Sequence, residues 1–209
     1  MNKKQSDKPY HHGDLRKALI QTALKMLSKK GSGDLSLREL AREIGVGHNA
    51  PYRHFKNKTD LLEALAAHGF YILTSTTNDA IAKHPNDPEQ QLFETGFSLI
   101  YLAINQPELF NMMFGGIVSL HQCGSELRTA ANNAIGCLVQ IVAAGQKAGI
   151  FREGDTMALT LAAMSMVHGL AVMITNRILP DTKVLTHKAE LIMLTRQMYE
   201  IFLTGLKKR

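Results

Sequence analysis

The chain contains no tryptophan, two cysteines and six prolines in 209 residues. Two thiols, Cys123 and Cys137, cannot build a disulfide framework or a four-thiolate zinc site, and they read as small apolar residues. His11, His12 and His121 stand at none of the usual ligand spacings, so no metal is expected. No Ser/His/Asp order and no glycine-rich phosphate loop can be recognised; neither an enzyme nor a cofactor is expected. Alternating β-branched runs are missing, which leaves little room for strands. The chain does not open with a cationic stretch followed by an apolar run, so no secretory signal is expected and a reducing cytoplasmic location is the default.

What is present is an uneven distribution of charge. Residues 1–68 hold 13 Lys/Arg against 7 Asp/Glu, while residues 69–209 hold 11 of each. The whole net charge of +6 therefore sits in the first third. A 45% hydrophobic share with 20% charged residues suits a folded globular protein. The basic excess points to an anionic partner for the N-terminal part alone, either nucleic acid or a membrane surface.

Apolar residues recur at helical spacing almost throughout, so the fold class is all-α with about nine helices. The expected division is a flexible basic arm over 1–13, a small N-terminal helical domain over 14–60, and a larger helical domain over 61–209. A first helix spans about Asp14 to Lys30, with Gly31 and Gly33 stopping it. Ser36 and Glu39 form a capping box that opens a second, short helix ending at Gly45. A third short helix is expected from about His48 to Phe55. Asn57 or Thr59 then starts a longer one to about Lys83. Further helices are expected over about 89–105, 108–114, 125–148, 155–177 and 186–207, broken by Pro85, Pro88, Pro107, Gly115-Gly116, Gly149, Gly154 and Pro180. The stretch Thr156–Thr175 carries no charge and is long enough to span a membrane. Its threonines, Ser165, His168 and Gly169 dilute it, so a helix apolar all round and buried within protein is expected, with no membrane partner.

Two short helices joined by a glycine-containing turn form a helix-turn-helix. The second is too short to stand alone in water. It is expected to be held by Tyr52 and Phe55. Its other face, with His48, Asn49, Arg53 and His54, is polar. Arg and Asn can read base edges in the major groove. His54 is read as a packing residue or phosphate contact. Ser36, Tyr52, Lys56 and Lys58 are hydroxyls and cations suited to phosphate oxygens.

The stretch Leu37-Arg38-Glu39-Leu40-Ala41-Arg42-Glu43-Ile44-Gly45-Val46 is followed by Tyr52-Arg53-His54-Phe55-Lys56-Asn57-Lys58-Thr59-Asp60-Leu61-Leu62. Together they resemble the DNA-binding domain of TetR-family transcriptional regulators, whose aromatic–x–His–Phe–x–x–Lys–x–x–Leu run is complete. The resemblance covers about residues 14–65. It implies a homodimeric repressor that inserts its third helix into the major groove and uses its C-terminal helices for a small molecule and for dimerisation. It also implies phosphate contacts from Tyr52 and Lys58, a helix cap at Ser36 beside the DNA backbone, and base reading by His48, Asn49 and Arg53. The chain departs from the family pattern at Pro51 and Gly47. Proline is tolerated only in a first turn. Either the third helix starts near His48 or Asn49, or its first turn is distorted.

In the neutral remainder, Phe93, Phe97, Tyr101, Met112, Met113 and Phe114 cluster around the Pro107 break. Met164 and His168 share one face of the uncharged helix. Phe93, Phe97, Tyr101, Met113, Phe114, Met164 and His168 are the candidate ligand-binding residues, with the histidine as the polar group in an apolar pocket. The final helix has two apolar faces, one with Leu185, Ala189, Ile192, Tyr199, Leu203 and Leu206, the other with Leu191, Leu194, Met198, Ile201 and Phe202. Burial on both sides implies a dimer built from the last two helices. Leu185, Ile192, Tyr199 and Leu206 are its candidate contacts. The expected partners are operator DNA, a small organic effector and a second copy of the chain. A membrane-surface adaptor using the basic end on anionic lipid is the competing class.

Overall fold

The computed structural model describes residues 12–33, 35–178 and 188–206. Among these it holds eight α-helices and no strand: α1 (His12–Lys30), α2 (Leu37–Ile44), α3 (Lys58–Lys83), α4 (Pro88–Asn105), α5 (Pro107–Phe114), α6 (Ser125–Lys147), α7 (Thr156–Thr175) and α8 (Lys188–Leu206). The all-α class is as expected. Most of the expected basic arm, residues 1–11, lies outside the described residues.

The ends of the helices follow from local chemistry. Asn57 caps α3 by accepting from the Asp60 N–H at 2.9 Å, Asp87 caps α4, and Asp155 caps α7 by accepting from Met157 and Ala158. Pro88 and Pro107 stand at the first positions of α4 and α5, where a missing N–H costs nothing.

One core cluster joins the N-terminal helices to the rest. Leu19, Leu27, Leu40, Phe55, Leu61 and Leu65 pack with Leu109, Met112 and Met113 of α5 and with Leu127 and Ala130 of α6. No linker separates the two expected domains. Their division at 60/61 falls in the first turn of α3, which runs on from the basic third to pack against α4, α5 and α6. At Gly69 of α3 a Cβ would collide with the Met113 side chain, so the missing side chain lets α5 seat against α3.

Two further clusters fill the C-terminal part. Leu92, Ile141, Val142, Phe151 and Leu203 form one; Leu99, Ile100, Phe110, Val167, Leu170 and Ile174 form the other. Within the single chain, helix α7 is buried on one side. Its inner side, Leu159, Ala163, Val167, Leu170 and Ile174, packs inward, while Met157, Leu161 and Met173 are exposed. Length and composition would let α7 cross a membrane. Its inner face instead packs on α4 and α6.

Candidate nucleic-acid interface and apolar cavity

Helix α2 is held at both ends. Ser36 Oγ accepts from the Glu39 N–H at 3.1 Å. At the other end Gly45 takes φ +76°, and the N–H groups of Gly45 and Val46 close on the carbonyls of Arg42 and Ala41. This is a Schellman stop, which needs a left-handed residue at that position. Leu37, Leu40 and Ala41 face the core.

The third helix expected over His48–Phe55 is absent as an α-helix. Residues 48–50 form a turn and Pro51–Arg53 a single 3-10 turn. The bonds run Ala50 N–H to Gly47 C=O at 2.8 Å, Arg53 N–H to Ala50 C=O at 3.2 Å, and Phe55 N–H to Pro51 C=O at 3.0 Å. Two causes act together. Pro51 has no N–H and cannot extend a helix from its N-terminal side. Gly47 has no side chain to cap one. The segment is anchored by buried Pro51 and by Phe55, which is buried at 2% exposure beneath the Arg16 guanidinium at 5.4 Å.

Around this short element the sequence-predicted residues divide. His48, Asn49, Tyr52, Arg53, Lys56 and Lys58 are exposed, and His54 is half-buried. Tyr52 is 44% exposed, so it presents surface beyond its packing. Asp60 returns to accept from the Lys56 N–H at 3.0 Å, making the start of α3 reciprocal with its Asn57 cap. The Lys58 ammonium donates to the Gly33 carbonyl at 2.7 Å and so ties the loop before Ser36 to the start of α3. The capped starts of α2 and α3 are thus held near one another, with the Lys58 ammonium between them and the exposed turn in the connection from α2 to α3.

Residues not singled out in the sequence connect this element to the rest. Arg16 pairs with Glu126 at the start of α6 at 2.7 Å, and Glu63 accepts from the Gly124 N–H at 2.9 Å. Nothing in their local sequence distinguishes them from ordinary surface charge.

The C-terminal helices enclose a cavity of about 220 Å³. Phe70, Leu73 and Thr77 of α3 line it with Leu92, Thr95 and Leu99 of α4, Phe114 of α5, Leu138 of α6, and Met164, Val167 and His168 of α7. Of the predicted pocket residues, Phe114, Met164 and His168 are on its wall. Phe93, Phe97, Tyr101 and Met113 are not. Phe93 is buried against Tyr199 with the Arg196 guanidinium 4.2 Å above its ring. Phe97 is half-buried against the core, between the Phe93 and Tyr101 rings. Tyr101 is 43% exposed, and Met113 fills the space beside Gly69. A helix presents only one face to a cavity, so a run of aromatics splits between wall, core and surface.

No lining residue carries a formal charge. The Thr77 and Thr95 hydroxyls donate to the Leu73 and Gln91 carbonyls, and the Tyr199 hydroxyl donates to the Glu89 carbonyl at 2.8 Å. His168 is different. Its ring lies against Phe114 at 4.9 Å and Phe110 at 5.4 Å, and neither ring nitrogen has a hydrogen-bond partner among the described residues. Burial lowers its pKa below the ordinary histidine value, which favours the neutral ring.

Helix α8 corrects the expected dimer contacts. Tyr199 points into the subunit, where it is buried, lines the cavity and bonds to α4. Burial first, and the nearby charges of Glu89 and Asp87 next, raise its pKa. Leu191, Thr195, Tyr199 and Leu203 form one inward row at four-residue spacing. Ile192 is half-buried against the same core. Leu185 and the side chain of Leu206 lie outside the described residues. The outward apolar residues are instead Met193 and Ile201, 59% and 77% exposed.

Residues 19–65 match the family described as bacterial regulatory proteins, tetR family, and residues 92–189 match the tetracyclin repressor-like C-terminal domain. The class C tetracycline repressor of Escherichia coli is 51% identical over 51 residues, covering 24% of this chain and 23% of that repressor. The chain thus aligns with less than a quarter of that protein's length. A protein of unknown function from Rhodococcus sp. RHA1 shares the fold with a TM-score of 0.82 and 31% identity, over 97% of this chain and 100% of that one. The TetR-family regulator PfmR of Thermus thermophilus shares the fold with a TM-score of 0.64 and 22% identity, over 91% of this chain and 99% of that one. With both halves matched in order along one all-helical fold, the chain belongs to the TetR family of DNA-binding transcriptional regulators, which are not enzymes.

Proposed function

We propose that the protein is a homodimeric, ligand-responsive repressor that binds a palindromic operator and is released by a small, mainly apolar effector. One observation carries the DNA-binding part: an exposed turn bearing His48, Asn49, Tyr52 and Arg53 joins α2 to α3, whose capped starts are tied together by the Lys58–Gly33 bond. Arg53 and Asn49 suit base edges; Tyr52, Lys56, Lys58 and the helix N-termini suit phosphates. Residues 14–60 serve as the reading head and residues 61–209 as the regulatory body.

The exposed apolar residues of α7 and α8 support dimerisation. Met157, Leu161 and Met173 on α7, with Met193 and Ile201 on α8, are surface that a second copy would cover. A dimer sets two reading turns about 34–36 Å apart, the spacing of successive major grooves on one face of DNA. The effector enters the cavity and meets Phe114 at the end of α5. Helix α5 packs on α1 and α3, so its displacement changes the separation of the two heads. Differential affinity of a few kcal/mol between the two states is sufficient. The protein acts in the cytoplasm.

Selection of genomic DNA fragments on the purified protein tests the reading. Recovery of a palindromic site with salt-sensitive affinity is expected. Preference for anionic vesicles with no preferred DNA sequence would sink it, as would a monomer in equilibrium sedimentation at micromolar concentration.

A further inference from the structure

The cavity wall contains one polar group whose hydrogen bonding is not already spent. Thr77, Thr95 and Tyr199 each donate their hydroxyl proton to a backbone carbonyl, so their oxygens can only accept from a ligand. The His168 ring has no such partner and is held in place by Phe110 and Phe114. A neutral imidazole offers one acceptor nitrogen and one N–H. Resting on the reading of this cavity as the effector site, we propose that His168 selects an uncharged effector with a small apolar body and a single hydroxyl.

The chemistry excludes the alternatives in turn. An ammonium group would be buried without an opposite charge on the wall, and a carboxylate would find one only by protonating His168 against its burial, so both carry a desolvation cost. A purely apolar molecule would leave the imidazole nitrogens unpaired. An ether or carbonyl could accept from the imidazole N–H but would bring no proton to the three hydroxyl oxygens or to the second ring nitrogen. A hydroxyl both donates and accepts, and it satisfies either tautomer. The cavity of about 220 Å³ lies below the roughly 300–1,000 Å³ of sites for drug-sized ligands, which suits a body about the size of a fused bicycle.

Calorimetric titration of the full chain with four matched probes tests this at neutral pH: naphthalene, 2-naphthol, 2-methoxynaphthalene and 2-naphthoate. We expect 2-naphthol to bind about tenfold more tightly than naphthalene or the methyl ether, with naphthoate weakest. H168F should reduce 2-naphthol to the affinity of naphthalene while naphthalene itself is still bound, which also reports that the variant is folded. H168Q, which keeps a donor and an acceptor, should retain the preference. A preference for the hydroxyl that survives H168F overturns the proposal, as does tighter binding of naphthoate or no binding by any of the four. Filling the cavity with L138W separates the two readings. If binding persists in L138W, the cavity is not the effector site. If L138W abolishes binding but H168F leaves the ranking intact, the cavity reading stands and the role of His168 fails.

Discussion

The reading head and the regulatory body are built on opposite principles. The head gathers the net charge, exposes its polar side chains and depends on short-range devices: a serine cap, a left-handed glycine, an asparagine cap, a proline that truncates a helix. The body is neutral, and its cavity is assembled from side chains of α3 to α8 that are far apart in sequence. In the head a residue's role is set by its neighbours within a few positions. In the body it is set by which way a helix is turned.

The largest expected effects show whether head and body fold as one. Phe55 is buried in the core shared by head and body, and Phe151 is buried deep in the body. Phe55→Ala and Phe151→Ala should each cost about 3–5 kcal/mol. Because α3 and the shared cluster join the regions, both should shift a single thermal transition; separate transitions would show that head and body are independent. Next in size is Arg53→Ala, expected to remove about 1–3 kcal/mol of discrimination between bases while leaving the melting temperature within a degree or two. Lys58→Ala sharpens the contrast within the head. As a phosphate contact its loss should reduce the salt slope by about one unit; an unchanged slope would leave Lys58 with only its bond to the Gly33 carbonyl. Gly45→Ala should cost about 1 kcal/mol, since φ +76° strains any residue with a Cβ.

The smallest expected effect lies at the far end of α3. Glu94 loses some of its preference for ionisation to desolvation. Hydrogen bonds from Lys83, Gln90 and His84, with the Lys83 charge, outweigh that and lower its pKa to about 2. A depressed carboxylate contributes stability that is present above its unfolded value of 4.5 and is lost as pH falls towards about 2. Glu94 and His84 are half-buried but Lys83 is exposed, so solvent screens the charge pair and the contribution is small. Glu94→Gln should lower neutral-pH stability slightly, flatten the acid limb of the stability profile within that window, and leave stability near pH 2 almost unchanged.

The sequence was most informative where chemistry is local. Ser36, Gly45, Asn57 and Pro107 mark helix ends by their own bonding, and each lies where the structure starts or stops a helix. Pro51 and Gly47 flagged a disturbed third helix, and the structure resolves it as consecutive turns. Signals of facing were weaker. Tyr199 shares α8 with Ile201, yet Tyr199 turns inward in the row of Leu191, Thr195 and Leu203, where its hydroxyl bonds the Glu89 carbonyl, while Ile201 faces out. Phe97 and Phe114 are both aromatics near the Pro107 break, but only Phe114 reaches the cavity. Arg16 carried no signal, since its partners Glu126 and Phe55 come from other helices.

Read alone, the chain determined the all-helical class, the basic head, the order of turns and caps, and the family. These depend on hydrogen-bond donors, backbone freedom and charge within a few residues of one another. Tertiary packing decided which apolar side chains form core, cavity wall or outer face. Leu92, Leu138 and Val167 are indistinguishable from core residues as letters. They become the wall of a cavity because helices packed at fixed rotations leave a gap between them that no single helix encodes.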